Sequence, residues 1–156
     1  MRILVVFYSR TGTTKKVGEA IASELECDWE EVFDTKERKG FFGYLSAGRD
    51  AWRERLTILQ VIKKDPADYD LIIIGTPVWF FNISTPIRTY IFQYKERFKK
   101  IALFVTYRGS GGEGTLTKMA DLCGKIPVAT LAIREKEVKR GRYLTPVKEF
   151  VAKLNE

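Results

Sequence analysis

Five short strand-like runs alternate along the chain with segments whose apolar residues recur every three or four positions. The runs lie at 2–7, 28–33, 70–75, 101–106 and 127–133. Two of them, Leu71-Ile72-Ile73-Ile74 and Ile101-Ala102-Leu103-Phe104-Val105, are apolar at every position. That is the pattern of parallel strands covered on both faces. Between the runs the spacing predicts helices over 14–26, 85–98, 114–124 and 143–155. Each has one apolar stripe: Val17, Ala20, Ile21 and Leu25 in the first; Ile87, Ile91, Tyr94 and Phe98 in the second; Leu116, Met119, Ala120 and Cys123 in the third; Val147, Phe150, Val151 and Leu154 in the last. Pro146 suits the first turn of that last helix. Strands alternating with helices predict an α/β three-layer sandwich around a five-stranded parallel sheet. Right-handed crossovers favour the strand order 2-1-3-4-5, which puts a ligand at the carboxyl ends of the strands, near the switch between the first and the third.

The stretch 40–63 is longer than a minimal connection. Over 41–56, Phe41, Leu45, Trp52 and Leu56 share one helical face, while Arg49, Arg53 and Arg55 can point elsewhere. The stripe predicts a helix that covers the sheet; a dimer face or a basic docking face is the other reading.

At 156 residues the expectation is one domain, 1–156, with one core. The apolar share of 45% and charged share of 30% are those of a globular protein. No apolar run approaches the roughly 20 residues of a membrane span, and no leader pattern precedes the first strand. Cys27 and Cys123 lie far apart without metal spacing, so buried thiols and a cytoplasmic location are expected. Histidine is absent, which removes the commonest general base and metal ligand. No catalytic side chain and no metal site is assigned; chemistry falls to a cofactor. The net charge of +7, from 27 basic and 20 acidic residues, suits an acidic partner, an anionic membrane or nucleic acid. The basic residues are scattered rather than gathered in one stripe, which disfavours nucleic acid.

Three loops at the predicted strand ends carry the chemistry. The first, Tyr8-Ser9-Arg10-Thr11-Gly12-Thr13-Thr14, joins a strand to a helix. Unpaired N–H groups at a helix start favour a phosphate, and four hydroxyls add hydrogen bonds. It lacks the lysine of a nucleoside-triphosphate loop, so a neutral cradle for one monophosphate is expected. The plain alternative is a turn whose threonines cap a helix. The second loop, 75–86, contains Thr76, Pro77, Val78, three consecutive aromatics Trp79, Phe80 and Phe81, and Asn82. Apolar rings at the top of a sheet need something flat to cover, and Trp79 is the first candidate to stack on it. The third, 106–114, brings Tyr107, Gly109, Gly111 and Gly112; glycines let backbone N–H groups approach a ligand closely. Gly109 to Gly114 formally matches G-x-G-x-x-G, with Glu135 21 residues after its last glycine. It follows the fourth of five strands, however, leaving too little chain for a dinucleotide half. One phosphate cradle, one aromatic lid and one amide-rich loop suit a ligand with one phosphate and one large flat ring, the shape of flavin mononucleotide (FMN).

These residues resemble the flavodoxin family. Val5-Val6-Phe7, Ser9, Gly12, Thr14 and Ile21 follow its opening pattern, with Gly18 where alanine is usual. The Gly75–Trp79 and Gly109–Gly114 loops are also similar. The resemblance covers essentially the whole chain. It implies an FMN phosphate held by Ser9, Arg10, Thr11, Gly12, Thr13 and Thr14. It implies a flavin ring between Thr76–Asn82 and Tyr107–Gly112, with Trp79 or Tyr107 stacking. Two departures stand out. The chain is basic where electron-carrying flavodoxins are acidic, with Arg10 and Arg108 near the flavin. The second loop also lacks the glycine whose peptide bonds the reduced ring, and Asn82, which tolerates positive φ, is the expected substitute. The resemblance implies electron transfer with redox partner proteins, acidic ones given the charge. A small NAD(P)H-dependent FMN reductase passing electrons to a quinone is the alternative, and a non-redox basic binding module on the same fold is the third.

Overall fold

A computed structural model of the chain describes residues 1–36 and 40–156. Five parallel strands form the sheet: β1 (Ile3–Phe7), β2 (Asp28–Glu31), β3 (Leu71–Trp79), β5 (Lys100–Tyr107) and β6 (Thr130–Arg134). A sixth, β4 (Asn82–Ile83), pairs antiparallel with the end of β3. The order is β2-β1-β3-β5-β6, so the parallel strands follow the predicted 2-1-3-4-5 pattern of the flavodoxin-like sandwich. Layers of helix cover both faces. α1 (Thr13–Leu25), α5 (Glu135–Lys139) and α6 (Leu144–Leu154) enclose a cluster of Val5, Phe7, Ile73 and Phe104. α2 (Gly40–Trp52), α3 (Thr85–Tyr94) and α4 (Gly112–Cys123) enclose the other, with Val6, Ile72, Ile74 and Leu103. The alternation of Val5 with Val6 and of Ile73 with Ile74 between these clusters is the period of a pleated strand.

Two glycines carry the packing at the heart of the sheet. A Cβ on Gly75 would lie 1.9 Å from the Phe104 ring, and one on Gly18 would lie 2.5 Å from the Phe7 ring. The unusual glycine in the opening motif thus answers the bulk of the aromatic residue at the end of β1.

The structure corrects two expectations. β3 does not end at 75 but runs on to Trp79 and turns back, so the predicted second loop is a β-hairpin. A proline inside a central strand removes a ladder donor. Pro77 is tolerated because β1 stops pairing with β3 at Gly75, leaving that flank open. The second correction is α2. Its buried face consists of Gly43, Ala47, Gly48, Asp50 and Ala51, whereas Leu45, Trp52 and the following Leu56 are exposed. The predicted stripe therefore faces outward. The side chain of Phe41, assigned to that stripe, lies outside the described residues.

No helix among the described residues is long and apolar enough to cross a membrane. Cys123 is buried and Cys27 partly so; burial pushes their thiols up to about 12 and about 11, which keeps both protonated and unreactive at neutral pH.

Candidate functional site

The carboxyl ends of β1, β3 and β5 open into a cavity of about 370 Å³. One end is the 9–14 loop. Gly12 takes a left-handed backbone, φ +98°, and caps α1. Ser9 Oγ accepts hydrogen bonds from the N–H groups of Gly12 at 3.0 Å and Lys15 at 3.1 Å. This holds the loop closed over the start of the helix and leaves the Ser9 hydroxyl proton for an outside acceptor. The N–H groups of Thr13 and Thr14, in the first turn, have no intrahelical acceptor. Thr14 is buried and its Oγ1 lies 2.8 Å from Thr106 Oγ1, which ties the cradle to the end of β5. Ser9, Arg10, Thr11, Thr13 and Thr14 all line the cavity. Gly12 shapes the loop from behind and borders a smaller hollow that also contains Lys16 and Lys139.

The other end is aromatic. The hairpin turn is Phe80-Phe81, with φ of +49° and +64°. Positive φ at both central residues is the signature of the primed type I turn, whose favoured sequence is Asn-Gly. Two phenylalanines there are strained. The surroundings hold them in place. The Phe80 ring occupies the room above Gly48 of α2, where a Cβ would lie 1.8 Å from it. Lys118 Nζ donates to the Phe81 carbonyl at 3.2 Å. Below the turn, Asn82 Oδ1 accepts from its neighbour Ile83 N–H at 2.9 Å and from Arg88 Nη2 at 2.6 Å. Arg88 Nη1 reaches Glu54 Oε2 at 3.2 Å. Burial pulls the Arg88 guanidinium below its usual range, and Glu54 opposes that shift. The hydroxyls of Thr76 and Ser84 pair at 2.7 Å.

Of the residues the sequence singles out in the other two loops, Pro77, Val78, Trp79, Phe80, Tyr107 and Gly109 line the cavity. Thr76, Asn82, Gly111 and Gly112 do not. Thr76 and Asn82 are buried hairpin braces; Gly111 caps α4 with φ +92° and Gly112 makes room for the Tyr107 ring. Asn82 lies in β4, outside the set of described residues with positive φ, so the left-handed backbone expected there falls on Phe80 and Phe81 instead. Trp79 is a buried wall rather than a free lid: its ring meets Tyr8 edge-on at 5.3 Å.

Sequence reasoning missed the contribution of α2. Tyr44 lines the cavity with Ala47 and Gly48. Its ring lies 5.4 Å from the Arg10 guanidinium carbon and 5.7 Å from that of Arg108, and 5.7 Å from the Phe80 ring. One tyrosine thus gathers the tips of all three loops. The spacing of Tyr44, Ala47 and Gly48 on one helix was the available signal. Glu135, singled out in the sequence only for its distance from Gly114, was not assigned to the site. It faces the cavity with its carboxylate bound by Arg108 at 3.0 Å and Lys139 at 3.4 Å. The arrangement suits an anion at one end and a flat ring at the other, under net positive charge.

Comparison with known proteins gives the same picture. The family model for flavodoxin matches residues 2–140. A flavoprotein from Lactobacillus acidophilus NCFM, solved in complex with FMN, is 27% identical, with a TM-score of 0.73 over 89% of this chain and 97% of that one. The apo form of a flavoprotein from the same organism, solved by NMR, is 26% identical, with a TM-score of 0.64 over 89% of this chain and 95% of that one. A flavodoxin from the domain Archaea shares the fold at 16% identity, with a TM-score of 0.59 over the full length of both. No curated protein matches significantly. The family match runs through all three loops and every parallel strand, and the chain belongs to the flavodoxin family.

Proposed function

We infer that this protein binds FMN in the cavity and serves as an electron carrier between protein partners. The observation that carries the reading is the joining of two unlike half-sites in one space. A cradle of hydroxyls and helix-start amides faces a rim of aromatic rings across a cavity of about 370 Å³. The cradle is rich in donors, as a phosphate monoester requires. In this reading Ser9, Thr11, Thr13 and Thr14 hold the phosphate, and the hairpin and the 107–110 segment clasp the ring. When bound, FMN supplies reversible one- and two-electron redox chemistry. Trp79, backed by Tyr8, would exclude water from one side of the ring, while Phe80 and Tyr44 would orient it at the mouth. The FMN complex of the Lactobacillus acidophilus relative supports the choice of ligand.

A second reading, a small NAD(P)H-dependent reductase with a quinone-like acceptor, is favoured by one observation. Arg10 and Arg108 flank Tyr44 at the mouth. Positive charge there stabilises the negative charge a ring gains on reduction and so favours transfer of two electrons together.

The test is an absorption spectrum of the purified protein before and after adding FMN, followed by stepwise reduction. Bound FMN with a stable half-reduced form is the expected result for the carrier. Bound FMN passing straight to full reduction, with rapid oxidation of NAD(P)H, would replace it with the reductase. No uptake at excess FMN would overturn both.

A further inference from the structure

The outer face of α2 has no role in the cavity, and its composition is unusual for a solvated helix. Phe42, Leu45, Arg49, Trp52 and Arg53 fall within an arc of roughly 100° on the helical period. Trp52 is 70% exposed, Leu45 45% and Leu56, just past the helix end, 49%; Phe42 is also exposed. From Phe42 to Trp52 the ridge is about 15 Å long. Its aromatic residues lie at the two ends, with arginine between them. The face turned inward is made of small residues, so the bulk of this helix points outward.

The charge on this segment is predominantly positive. Residues 40–64 contain Arg49, Arg53, Arg55, Lys63 and Lys64 against Asp50 and Glu54. Neither acid offers free negative charge on the ridge. Asp50 is 1% exposed and bound by Lys36 at 3.0 Å and Arg55 at 3.4 Å, with the ridge residue Arg49 at 3.8 Å, and Glu54, though exposed, is engaged by Arg88 at 3.2 Å. What remains outside is an apolar, aromatic-tipped helix with cations beside it. Such a surface lies in the plane of a lipid interface, with rings among the acyl boundary and arginines at the head groups.

We propose that the protein docks on an anionic lipid surface through the Leu45–Arg49–Trp52 ridge of α2. A second copy fits less well. A twofold contact sets Arg49 and Arg53 near their own images, on a chain that already carries +7. A rigid protein partner would need a groove shaped to this convex ridge, whereas a bilayer interface yields around it. The docking also sets the cavity close to the membrane, since Tyr44 and Gly48 of the same helix line it.

The full-length protein is sedimented with vesicles of 70% phosphatidylcholine and 30% phosphatidylglycerol, and with vesicles of phosphatidylcholine alone. The expected result is partitioning at least about tenfold stronger onto the anionic vesicles, weakened by added salt. Leu45→Ser/Trp52→Ser should reduce it about tenfold. Both residues are exposed, so the variant keeps its fold. Ile126→Ser, at a 93% exposed residue near the amino-terminal ends of the strands, should leave binding unchanged. Failure to bind anionic vesicles at low salt overturns the proposal. So does binding that the double variant leaves intact, and so does a solution dimer that the double variant dissolves, which would assign the ridge to a second copy. None of these outcomes depends on which cofactor the cavity holds.

Discussion

The two ends of the cavity solve the same backbone problem in opposite ways. The phosphate cradle needs one left-handed residue and places a glycine there, Gly12 at φ +98°. The ring end needs two and uses Phe80 and Phe81. A glycine in that region is unstrained, while a bulky residue there stores roughly 1–3 kcal/mol. The cradle's turn is closed by bonds within six residues, from Gly12 and Lys15 to Ser9, with one distant tie from Thr14 to Thr106. The hairpin is held by residues far away in sequence: Gly48 beneath Phe80, Glu54 behind Arg88 and Lys118 on the Phe81 carbonyl. A phosphate recognises N–H groups, which any well-shaped loop supplies. A flat ring recognises surface, and only large side chains supply that, so strain at this turn is the cost of placing rings at the mouth.

The sharpest way to break the contrast is Gly48→Ala. Its Cβ would overlap the Phe80 ring, and either ring or helix must move. We expect a loss of about 3 kcal/mol in chemical denaturation, relieved in a double variant with Phe80→Ala; additivity of the two changes would show that the helix does not set the turn.

Replacing the turn itself separates strain from function. Phe80→Asn/Phe81→Gly should raise stability by about 2 kcal/mol, while FMN affinity, measured by fluorescence quenching, falls about tenfold. A change of the same sign in both would remove the trade.

The cradle should respond more mildly. Ser9→Ala leaves two backbone donors without their acceptor and should lower stability by about 1 kcal/mol. Its larger effect should be on the phosphate end, read as weaker binding of FMN with little change for riboflavin.

The smallest effect concerns a pair remote from the cavity. Tyr69 is buried and donates to Asp28 at 2.6 Å. Burial first and Asp28 second push its hydroxyl from the ordinary value of 10 up to about 12. The folded state therefore holds this proton longer than the unfolded one. That contribution is fully present below pH 10 and is lost as pH rises towards 12. Tyr69→Phe should lose only about 0.5 kcal/mol at neutral pH and flatten the fall in urea midpoint between pH 10 and 12. The remaining slope belongs to Tyr90, Cys27 and Cys123, which burial also pushes up.

The legible part of the site was local. Ser9 to Thr14 could be read as a cradle because the strand before it, the helix after it and the hydroxyls between are all neighbours in sequence. The hairpin was harder. Pro77 and three aromatics suggest a loop, and nothing nearby reveals that β1 stops pairing with β3 at Gly75 and leaves an open flank for the proline. The helix over 41–56 shows the same limit. Its stripe was visible, but periodicity identifies a face without saying which way it points. Leu45 and Trp52 turned outward because the Phe80 ring, supplied from 32 positions further on from Gly48, fills the space where α2 meets the hairpin and admits only small residues.

What the chain determined by itself was the order of elements, the parallel sheet and the hydroxyl-rich turn into α1, since strand pattern, helix period and turn chemistry act over a few residues. What only tertiary structure decided was the ring end: which side chains reach the mouth, why Tyr44 joins them and where the strain sits. Those follow from how closely α2, the hairpin and β5 approach one another, and such distances are set by packing the whole molecule at once.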